Sequence, residues 1–216
     1  MKINFLDESS HLVLVLAPHT DDGEFGCGGA ISRLIAQGNR VIYVAFSAAE
    51  KSVPEGLPTD TLRHEVVAAT KALGISPEDC HCLNFEVREF QAYRQDILEE
   101  MVKLNRLYAP EVIFMPSQFD THQDHAVISA EGFRAFKKST VLGYEVPWNN
   151  LRFNNNCFIK LLAEDVDKKI AALSCYESQR GKDYATPEFV RALAHTRGVQ
   201  VGVQYAECFE AIRLVI

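Results

Sequence analysis

Two short groups of histidine and acidic side chains have the composition of a metal-binding catalytic site. The first, at 19–22 (His-Thr-Asp-Asp), directly follows an apolar run at 12–16, and the second, at 122–125 (His-Gln-Asp-His), follows an apolar run at 112–115. Catalytic zinc takes three protein ligands from such side chains, and two histidines with one carboxylate also suit non-haem iron(II). Further acids remain for proton transfer. These residue types therefore indicate a metal-dependent hydrolase.

Each group begins where a buried strand is expected to end. Continuous apolar runs of this length are typical of strands that are buried on both faces of a parallel sheet. If the two runs are strands 1 and 4 of a doubly wound sheet, they are neighbours at the point where the strand order reverses, and ligands bind outside the carboxyl ends of the strands there. Both groups would then meet in one crevice.

Hydrophobic periodicity and turn residues predict alternating strands and helices. Strands are predicted at 11–17, 40–46, 80–85, 111–115, 141–146, 157–162 and 208–216. The first helix is predicted to follow a glycine-rich turn at 23–29 and to end at about 37, and further helices are predicted at 59–73, about 91–108, 127–136, 164–177 and 187–195. This alternation is typical of an α/β fold with a Rossmann-like, mostly parallel sheet and helices on both faces. We expect a single domain over 1–216, with a core at about 10–146 and a C-terminal elaboration at about 147–216.

Composition restricts the possible functions. The chain has 216 residues, 47% of them hydrophobic, and a formal net charge of −7. This charge leaves no broad basic surface for phosphate backbones, so nucleic-acid binding is not expected. The N-terminus lacks the apolar segment of a signal peptide and the run at 11–17 is too short to span a bilayer, so we expect a cytoplasmic protein without a transmembrane segment. The six cysteines are then expected to be reduced.

The glycines after the first group leave an alternative open. The stretch at 26–29 (Gly-Cys-Gly-Gly) follows a predicted strand, as a nucleotide-binding turn does. The full dinucleotide-binding spacing is absent, and Asp21 and Asp22 would place negative charge where a pyrophosphate should lie. A non-catalytic Rossmann-type domain that binds a nucleotide or a sugar nucleotide is therefore the alternative to the hydrolase.

Taken together, these motifs resemble the LmbE/PIG-L family of zinc-dependent N-deacetylases. The resemblance rests on 18–22, 26–29 and 122–125, with support from 63–65, 72–74, 168–169, 178–179 and 205–209. Three positions depart from the family pattern. Proline is usual at Thr20 and frequent at Gln123, and an acid is usual at Gly23. Gly23 therefore lacks a side chain that would contribute to the surroundings of the metal in the family.

The resemblance implies a ligand set and a reaction. His19, Asp22 and His125 would bind zinc, and Asp21 would be the general base. Zinc lowers the pKa of its bound water to about 7 and polarises a carbonyl group, so the expected reaction is attack of zinc-bound water on an N-acetyl amide. Iron(II) stays the alternative metal.

The second group supplies the remaining implied roles. Asp124 would orient His122, which would stabilise the oxyanion as an electrophile or act as an acid. Either His122 or Asp21 would then protonate the departing amine. The sequence does not choose between these two proton donors.

The resemblance also implies the substrate class. Family members act on N-acetylglucosamine units, so we expect a small soluble N-acetyl amino sugar or conjugate, with Arg63 among the residues that bind it. The rim loops at 47–58 and 149–156 show no pattern that identifies the attached group. Trp148, the only tryptophan, would either stack on a sugar face or close the core. A homo-oligomer is compatible with the sequence.

Overall fold

A computed structural model describes residues 10–215 and shows one seven-stranded sheet covered by helices, which confirms the expected α/β fold. The strands are β1 (Leu12–Ala17), β2 (Arg40–Ala45), β3 (Cys80–Cys82), β4 (Val112–Pro116), β5 (Thr140–Tyr144), β6 (Cys157–Leu161) and β7 (Tyr205–Arg213). The helices are α1 (Asp22–Ala36), α2 (Thr61–Leu73), α3 (Arg94–Tyr108), α4 (Gln123–Ala135), α5 (Ala163–Leu173) and α6 (Pro187–Gln200). The expectations for 1–9 and for the end of the last strand at 216 lie outside the described residues. Between 10 and 215, no helix combines the length and the apolar character needed to cross a membrane.

The sheet has the strand order β3-β2-β1-β4-β5-β7-β6. The strands from β3 to β5 in this order pair in parallel, and β7 pairs antiparallel with both β5 and β6. The chain moves outward from β1 through β2 to β3, and it then returns to β4 on the other side of β1. The strand order therefore reverses between β1 and β4, which confirms that these strands are neighbours and places their carboxyl ends at one crevice.

Strand β1 shows why its apolar run is continuous. Val13 and Val15 pack on the face of the sheet that is covered by α1, α2 and α5. Leu14 and Leu16 pack on the opposite face, against side chains of α3 and α4. All four side chains are fully buried, and each burial of this kind stabilises the fold by about 1.5–3 kcal/mol. The strand is thus held firmly at the centre of the molecule, directly before the first His/Asp group.

Several elements differ from their predicted bounds, and two of these differences concern the second His/Asp group and the order of the sheet. Helix α4 begins at Gln123 rather than at 127, because His122 caps it: the backbone of His122 is extended, and its ring Nδ1 accepts a hydrogen bond from the backbone N–H of Asp124. The second His/Asp group therefore lies in the first turn of a helix. The last strand begins at Tyr205 rather than at 208 and lies between β5 and β6.

Candidate active site

The structure brings the two predicted groups together at the carboxyl ends of β1 and β4. Asp22 Oδ2 lies 3.0 Å from His19 Nδ1 and 3.1 Å from His125 Nε2. The ligand atoms that these three side chains offer lie within 4.8 Å of one another. His19 and Asp22 are each 8% exposed and His125 is 2% exposed. One carboxylate and two imidazoles therefore converge on one small volume below the rim of the sheet.

Each of these two histidines is held from behind by a buried carboxylate. Asp124 Oδ2 accepts a hydrogen bond from His19 Nε2 at 2.9 Å, and Asp120 Oδ2 accepts one from His125 Nδ1 at 2.7 Å. A carboxylate at the far nitrogen keeps a proton there, so loss of the second proton on binding a metal ion would leave the lone pair of the near nitrogen facing the shared volume. Asp120 was not predicted as a site residue from the sequence. Its only signal in the sequence is that it is an acid in the loop before the second group.

The position of Asp124 corrects the expectation that it orients His122. Besides His19, the Asp124 carboxylate accepts hydrogen bonds from the backbone N–H groups of Arg88, at 2.6 Å, and Phe90, at 3.4 Å. The ring of His122 is fixed instead by the backbone N–H of Asp124, which donates to Nδ1 at 3.2 Å. The reason is that His122 caps α4, so its ring faces the backbone of the first helical turn and not the Asp124 side chain.

His122 is arranged as a neutral hydrogen-bond donor. Because its Nδ1 accepts a hydrogen bond, the neutral ring carries its proton on Nε2. Burial and the positive charges of His125 and His19 lower the pKa of His122 below its usual value. This arrangement favours the electrophile role over the acid role.

Asp21 and Asp22 are adjacent, yet the pKa values of their carboxyl groups shift in opposite directions. Burial and the neighbouring charge of Asp22 raise the pKa of Asp21 to about 7. Burial also opposes ionisation of Asp22, but the charges and hydrogen bonds of His125 and His19 outweigh it and hold that pKa well below its usual range. Asp21 is the N-cap residue of α1, although its side chain makes no capping hydrogen bond. A carboxylate with a pKa near 7 is suited to accept and return a proton at neutral pH.

A hydrogen-bond network that the sequence analysis missed supports the backbone of the first group. Glu24 is fully buried, and its carboxyl group hydrogen-bonds to the hydroxyls of Tyr43 and Tyr176. The same two hydroxyls lie 2.9 Å and 2.6 Å from the carbonyl oxygen of Thr20. A Cβ at Gly23 would lie 2.5 Å from the Tyr43 ring, so the acid that is usual at this position has no room here.

The glycine-rich stretch forms a break in α1. Cys27 has φ −146° and ψ 22°, which interrupts the helix. Glu207 of β7 accepts hydrogen bonds from the backbone N–H groups of residues 29 and 30, at 3.0 Å and 2.7 Å. Lys169 of α5 donates to the carbonyl oxygen of Phe25 at 2.6 Å and to Glu207 at 2.7 Å. A buried ion pair therefore replaces hydrogen bonds that a regular helix would make for itself.

Close packing accounts for these glycines without a bound phosphate. A Cβ at Gly26 would lie 2.3 Å from the ring of Tyr144, and a Cβ at Gly29 would lie 2.6 Å from the side chain of Leu161. Residues with side chains at these two positions would therefore push α1 away from the sheet. The geometry supports the hydrolase interpretation of this stretch over the nucleotide-binding interpretation.

Arg63 lies on the rim and is held by protein groups. Its guanidinium donates hydrogen bonds to Glu50 at 3.0 Å, to the carbonyl oxygen of Cys82 at 3.3 Å and to Asn84. It lines a pocket of about 170 Å³ together with the loops that follow β2 and β3. A substrate in this pocket would contact an arginine whose orientation is already fixed. The contact between Arg63 and the substrate stays a prediction.

The donor set fits a divalent metal ion. Two imidazole nitrogens and one carboxylate oxygen are ligands that both zinc and iron(II) accept, and a carboxylate on the far side of each imidazole is the usual companion of a metal-binding histidine. The atoms of His19, His122 and Asp124 also lie close together, but the Asp124 carboxylate is already occupied by hydrogen bonds. His19, Asp22 and His125 are therefore the better candidate ligands.

The sequence also matches a known protein family. The matching family is described as PIG-L: GlcNAc-PI de-N-acetylase, and the match covers residues 14–136, which is more than half of the chain. The chain belongs to this family. The matched segment runs from β1 to α4 and contains both His/Asp groups, so the PIG-L resemblance drawn from the motifs is confirmed.

Similarity to other proteins extends over nearly the whole PIG-L chain. The diacetylchitobiose deacetylase of Thermococcus kodakarensis is 25% identical over an alignment of 231 positions, which covers 95% of this chain and 85% of the relative. The conserved protein TT1542 from Thermus thermophilus has a similar crystal structure, with a TM-score of 0.80 and 27% identity over 94% of this chain and 96% of that one. GalB, the 4-carboxy-2-hydroxymuconate hydratase of Pseudomonas putida KT2440, shares the fold with a TM-score of 0.78 at 21% identity, over 95% of this chain and 98% of its own. The fold alone therefore does not determine the reaction.

Proposed function

We propose that this PIG-L member is a metal-dependent N-deacetylase that hydrolyses the acetamide of an N-acetylglucosamine-type sugar or conjugate. The observation that carries the proposal is the convergence of two carboxylate-backed histidines and Asp22 beside Asp21, whose pKa is raised to about 7. The family description and the name of the Thermococcus relative support amide hydrolysis on an N-acetylated sugar.

Five side chains would form the metal site. His19, Asp22 and His125 would hold the ion, which would be zinc or iron(II). When bound, the ion would acidify a water molecule and polarise the substrate carbonyl. Asp124 and Asp120 would hold the two imidazoles so that the correct nitrogen of each faces the ion.

Two further side chains would move the proton and hold the charge. Asp21 accepts a proton from the attacking water, since its pKa near 7 allows it to be ionised and still basic at neutral pH. His122 donates its Nε2 hydrogen to the carbonyl oxygen as negative charge develops there. Protonated Asp21 then gives its proton to the departing amine, and the carboxylate is restored for the next cycle.

The sugar would be bound at the rim, where Arg63 and its pocket would contact the hydroxyl groups. We also propose that the whole chain, 1–216, is a single deacetylase domain with a core at about 10–146. The elaboration at about 147–216 contributes β6, β7 and the Lys169–Glu207 pair that holds α1. It would therefore be needed for a properly formed site.

Metal analysis combined with acetate release tests this function. The protein is purified without oxygen, analysed for metal, stripped with a chelator and reloaded with zinc or iron(II). It is then incubated with N-acetylglucosamine, N,N′-diacetylchitobiose and glycoside conjugates, and free amine and acetate are measured. We expect about one equivalent of metal and acetate release only from the loaded protein. Because a hydratase shares the fold, acetate release is the deciding measurement.

The possible results separate the hypotheses. If the protein holds no metal, releases no acetate and binds a nucleotide instead, the Rossmann-type binding domain is the correct interpretation. If it cleaves acylated amino acids but none of the sugars, the amidase mechanism stands and the sugar assignment falls. Different rates with zinc and iron(II) would identify the more active metal.

A further inference from the structure

Three aromatic side chains, Phe25, Trp148 and Tyr184, form a wall beside the proposed active site, which we call the aromatic wall. The rings of Trp148 and Tyr184 stack, with their centroids 4.0 Å apart and their planes at 17°. Phe25 meets both rings edge-on, with centroids at 5.2 Å and 5.5 Å. Trp148 nevertheless keeps 40% of its surface exposed. Its neighbours thus hold the indole in place while part of the ring faces solvent.

Hydrogen bonds join the aromatic wall to both His/Asp groups. The backbone N–H of Phe25 donates to the carbonyl oxygen of Asp21 at 3.0 Å, so the Phe25 ring lies one helical turn from the proposed general base. The turn that carries Trp148 is joined to the residue directly before the second group, because Thr121 donates both its backbone N–H and its hydroxyl to the carbonyl oxygen of Asn149, at 3.2 Å and 2.8 Å. The wall therefore stands on the rim of the crevice that contains the site.

The surroundings of the wall indicate an uncharged ligand. Two ion pairs line one pocket together with the aromatic wall: Lys169 is paired with Glu207 at 2.7 Å, and Arg197 is paired with Glu145. Each of these cations is already neutralised by a carboxylate. A partly exposed indole beside these paired charges suits the C–H face of a sugar ring better than a phosphate or a carboxylate.

We propose that Trp148 stacks on a pyranose ring of the substrate, namely the ring next to the one that carries the reacting acetamide. This inference rests on the proposed deacetylase function, and it assigns to Trp148 the contact with the sugar that is attached to the reacting one. The order of the rings supports it, because Phe25 lies beside the first His/Asp group and Trp148 lies one aromatic ring further out. Stacking on an indole that Tyr184 already orders loses little conformational freedom. Trp148 would therefore make the enzyme prefer a disaccharide to a monosaccharide.

Kinetics on two substrates tests this contact. In the metal-loaded enzyme, Trp148→Ala should raise KM for N,N′-diacetylchitobiose roughly threefold to tenfold, which is the range expected for one aromatic stacking contact. KM for N-acetylglucosamine and both kcat values should change by less than about twofold, because the contact is absent for the single sugar and equal in ground and transition states for the disaccharide. Trp148→Phe, which keeps an aromatic ring, should recover part of the loss. Leu151→Ala removes an apolar side chain that is 89% exposed in the same loop, and it should change neither constant.

Fluorescence gives a readout that does not depend on turnover. Trp148 is the only tryptophan, so the indole emission of the protein reports on this position alone. In zinc-loaded Asp21→Asn protein, N,N′-diacetylchitobiose should change the emission in a saturable way, and N-acetylglucosamine should change it much less. A thermal unfolding scan of Trp148→Ala accompanies the titration: loss of the contacts with Tyr184 and Phe25 should lower the melting temperature, and the variant should still be folded at the assay temperature.

The outcomes distinguish this inference from the function on which it rests. If the enzyme hydrolyses N-acetyl sugars but Trp148→Ala keeps the wild-type KM for the disaccharide, or if the emission does not respond, the stacking assignment is wrong and the deacetylase stands. If the loaded enzyme hydrolyses no N-acetyl sugar, the proposed function fails. The fluorescence titration of the wild-type protein then decides by itself whether a sugar binds at Trp148.

Discussion

The neighbours of Asp21 and Asp22 assign different tasks to these adjacent acids. Asp22 contacts two imidazoles, which favour its charged form. Burial and the charge of Asp22 disfavour the ionised form of Asp21. Pairs of acids whose pKa values are moved apart in this way typically divide the work, so that one holds charge and the other transfers a proton.

Asp21→Asn should keep the metal and lose most of the activity. The amide preserves the size of the side chain but cannot accept a proton, and general-base catalysis is typically worth about a hundredfold to ten-thousandfold in rate. Acetate release and metal content are measured on the same sample, with Asp96→Asn, an exposed aspartate of α3, as the matched control. A rate within a few fold of the wild type would remove Asp21 from the mechanism.

Glu24 should make folding stability depend on pH. Burial raises its pKa from an ordinary value of 4.5 to about 8 in the folded protein, so the folded state keeps a proton that the unfolded chain releases above about pH 4.5. The free energy of unfolding should therefore fall as the pH rises from about 5 to about 8. The contribution of one such group reaches at most about 1.4 kcal/mol per pH unit.

Glu24→Gln isolates this contribution. Glutamine is neutral at every pH and can still hydrogen-bond to Tyr43 and Tyr176, so the variant should fold and show a smaller decrease in stability over this pH range. Urea unfolding of chelator-treated wild type and variant at several pH values measures the difference. Parallel pH curves would mean that Glu24 is already ionised in the folded protein.

The site residues that the sequence revealed are those within a few residues of the end of an apolar run. His19 and Asp22 follow β1 in this way, and strand position alone placed them at the crevice. The partners of buried acids were not predictable, because they are distant in the chain. Asp124 was assigned to its neighbour His122, whereas its carboxylate contacts His19, 105 residues away, and Glu24 contacts Tyr176, 152 residues away.

At the scale of elements, the break in α1 determines how the first His/Asp group is presented. The helix cannot hold its first turns by its own hydrogen bonds across Cys27, so α5 and β7 hold them through Lys169 and Glu207. Both residues are nearly fully buried, with 6% and 7% of their surface exposed. The C-terminal part of the chain is thus built into the support of the N-terminal part of the site.

Lys169→Met should destabilise the fold by about 3–5 kcal/mol, because it leaves Glu207 as a buried charge without its partner. The first turns of α1 should also be held less precisely, so the affinity for zinc should fall as well. Urea unfolding and a zinc titration measure the two effects. Lys168→Met changes the exposed lysine next to it and is the matched control. If both variants are equally stable and bind zinc equally, the pair does not support the helix.

The element pattern was predicted well where periodicity is strong and less well where pairing is non-local. The parallel strands β1, β2, β4 and β5 were recognisable as apolar runs in the sequence. The insertion of β7 between β5 and β6 was not, because it depends on strand pairing between distant parts of the chain. The start of α4 was missed because its cap is a histidine ring rather than one of the usual capping side chains.

At the scale of the whole molecule, the proposed metal site joins two βα units across the reversal of strand order. His19 and Asp22 come from the β1–α1 connection and its helix, and His125 comes from the first turn of α4. A ligand that binds the folded state and has no affinity for the unfolded chain increases the free energy of unfolding by mass action. Metal binding should thus stabilise the entire sheet and not only the rim.

Zinc should therefore raise the melting temperature of the chelator-treated protein. At about one hundred times the dissociation constant, binding adds about 2.7 kcal/mol, which corresponds to roughly 5–10 °C for a domain of this size. Asp22→Ala and His125→Ala should abolish the shift, because each leaves only two of three ligands. Asp120→Asn should reduce it at a fixed zinc concentration, since loss of an outer carboxylate typically weakens metal binding about tenfold to a hundredfold. Calorimetric scans with zinc and with chelator measure these shifts. A full shift in Asp22→Ala would show that the ion binds elsewhere.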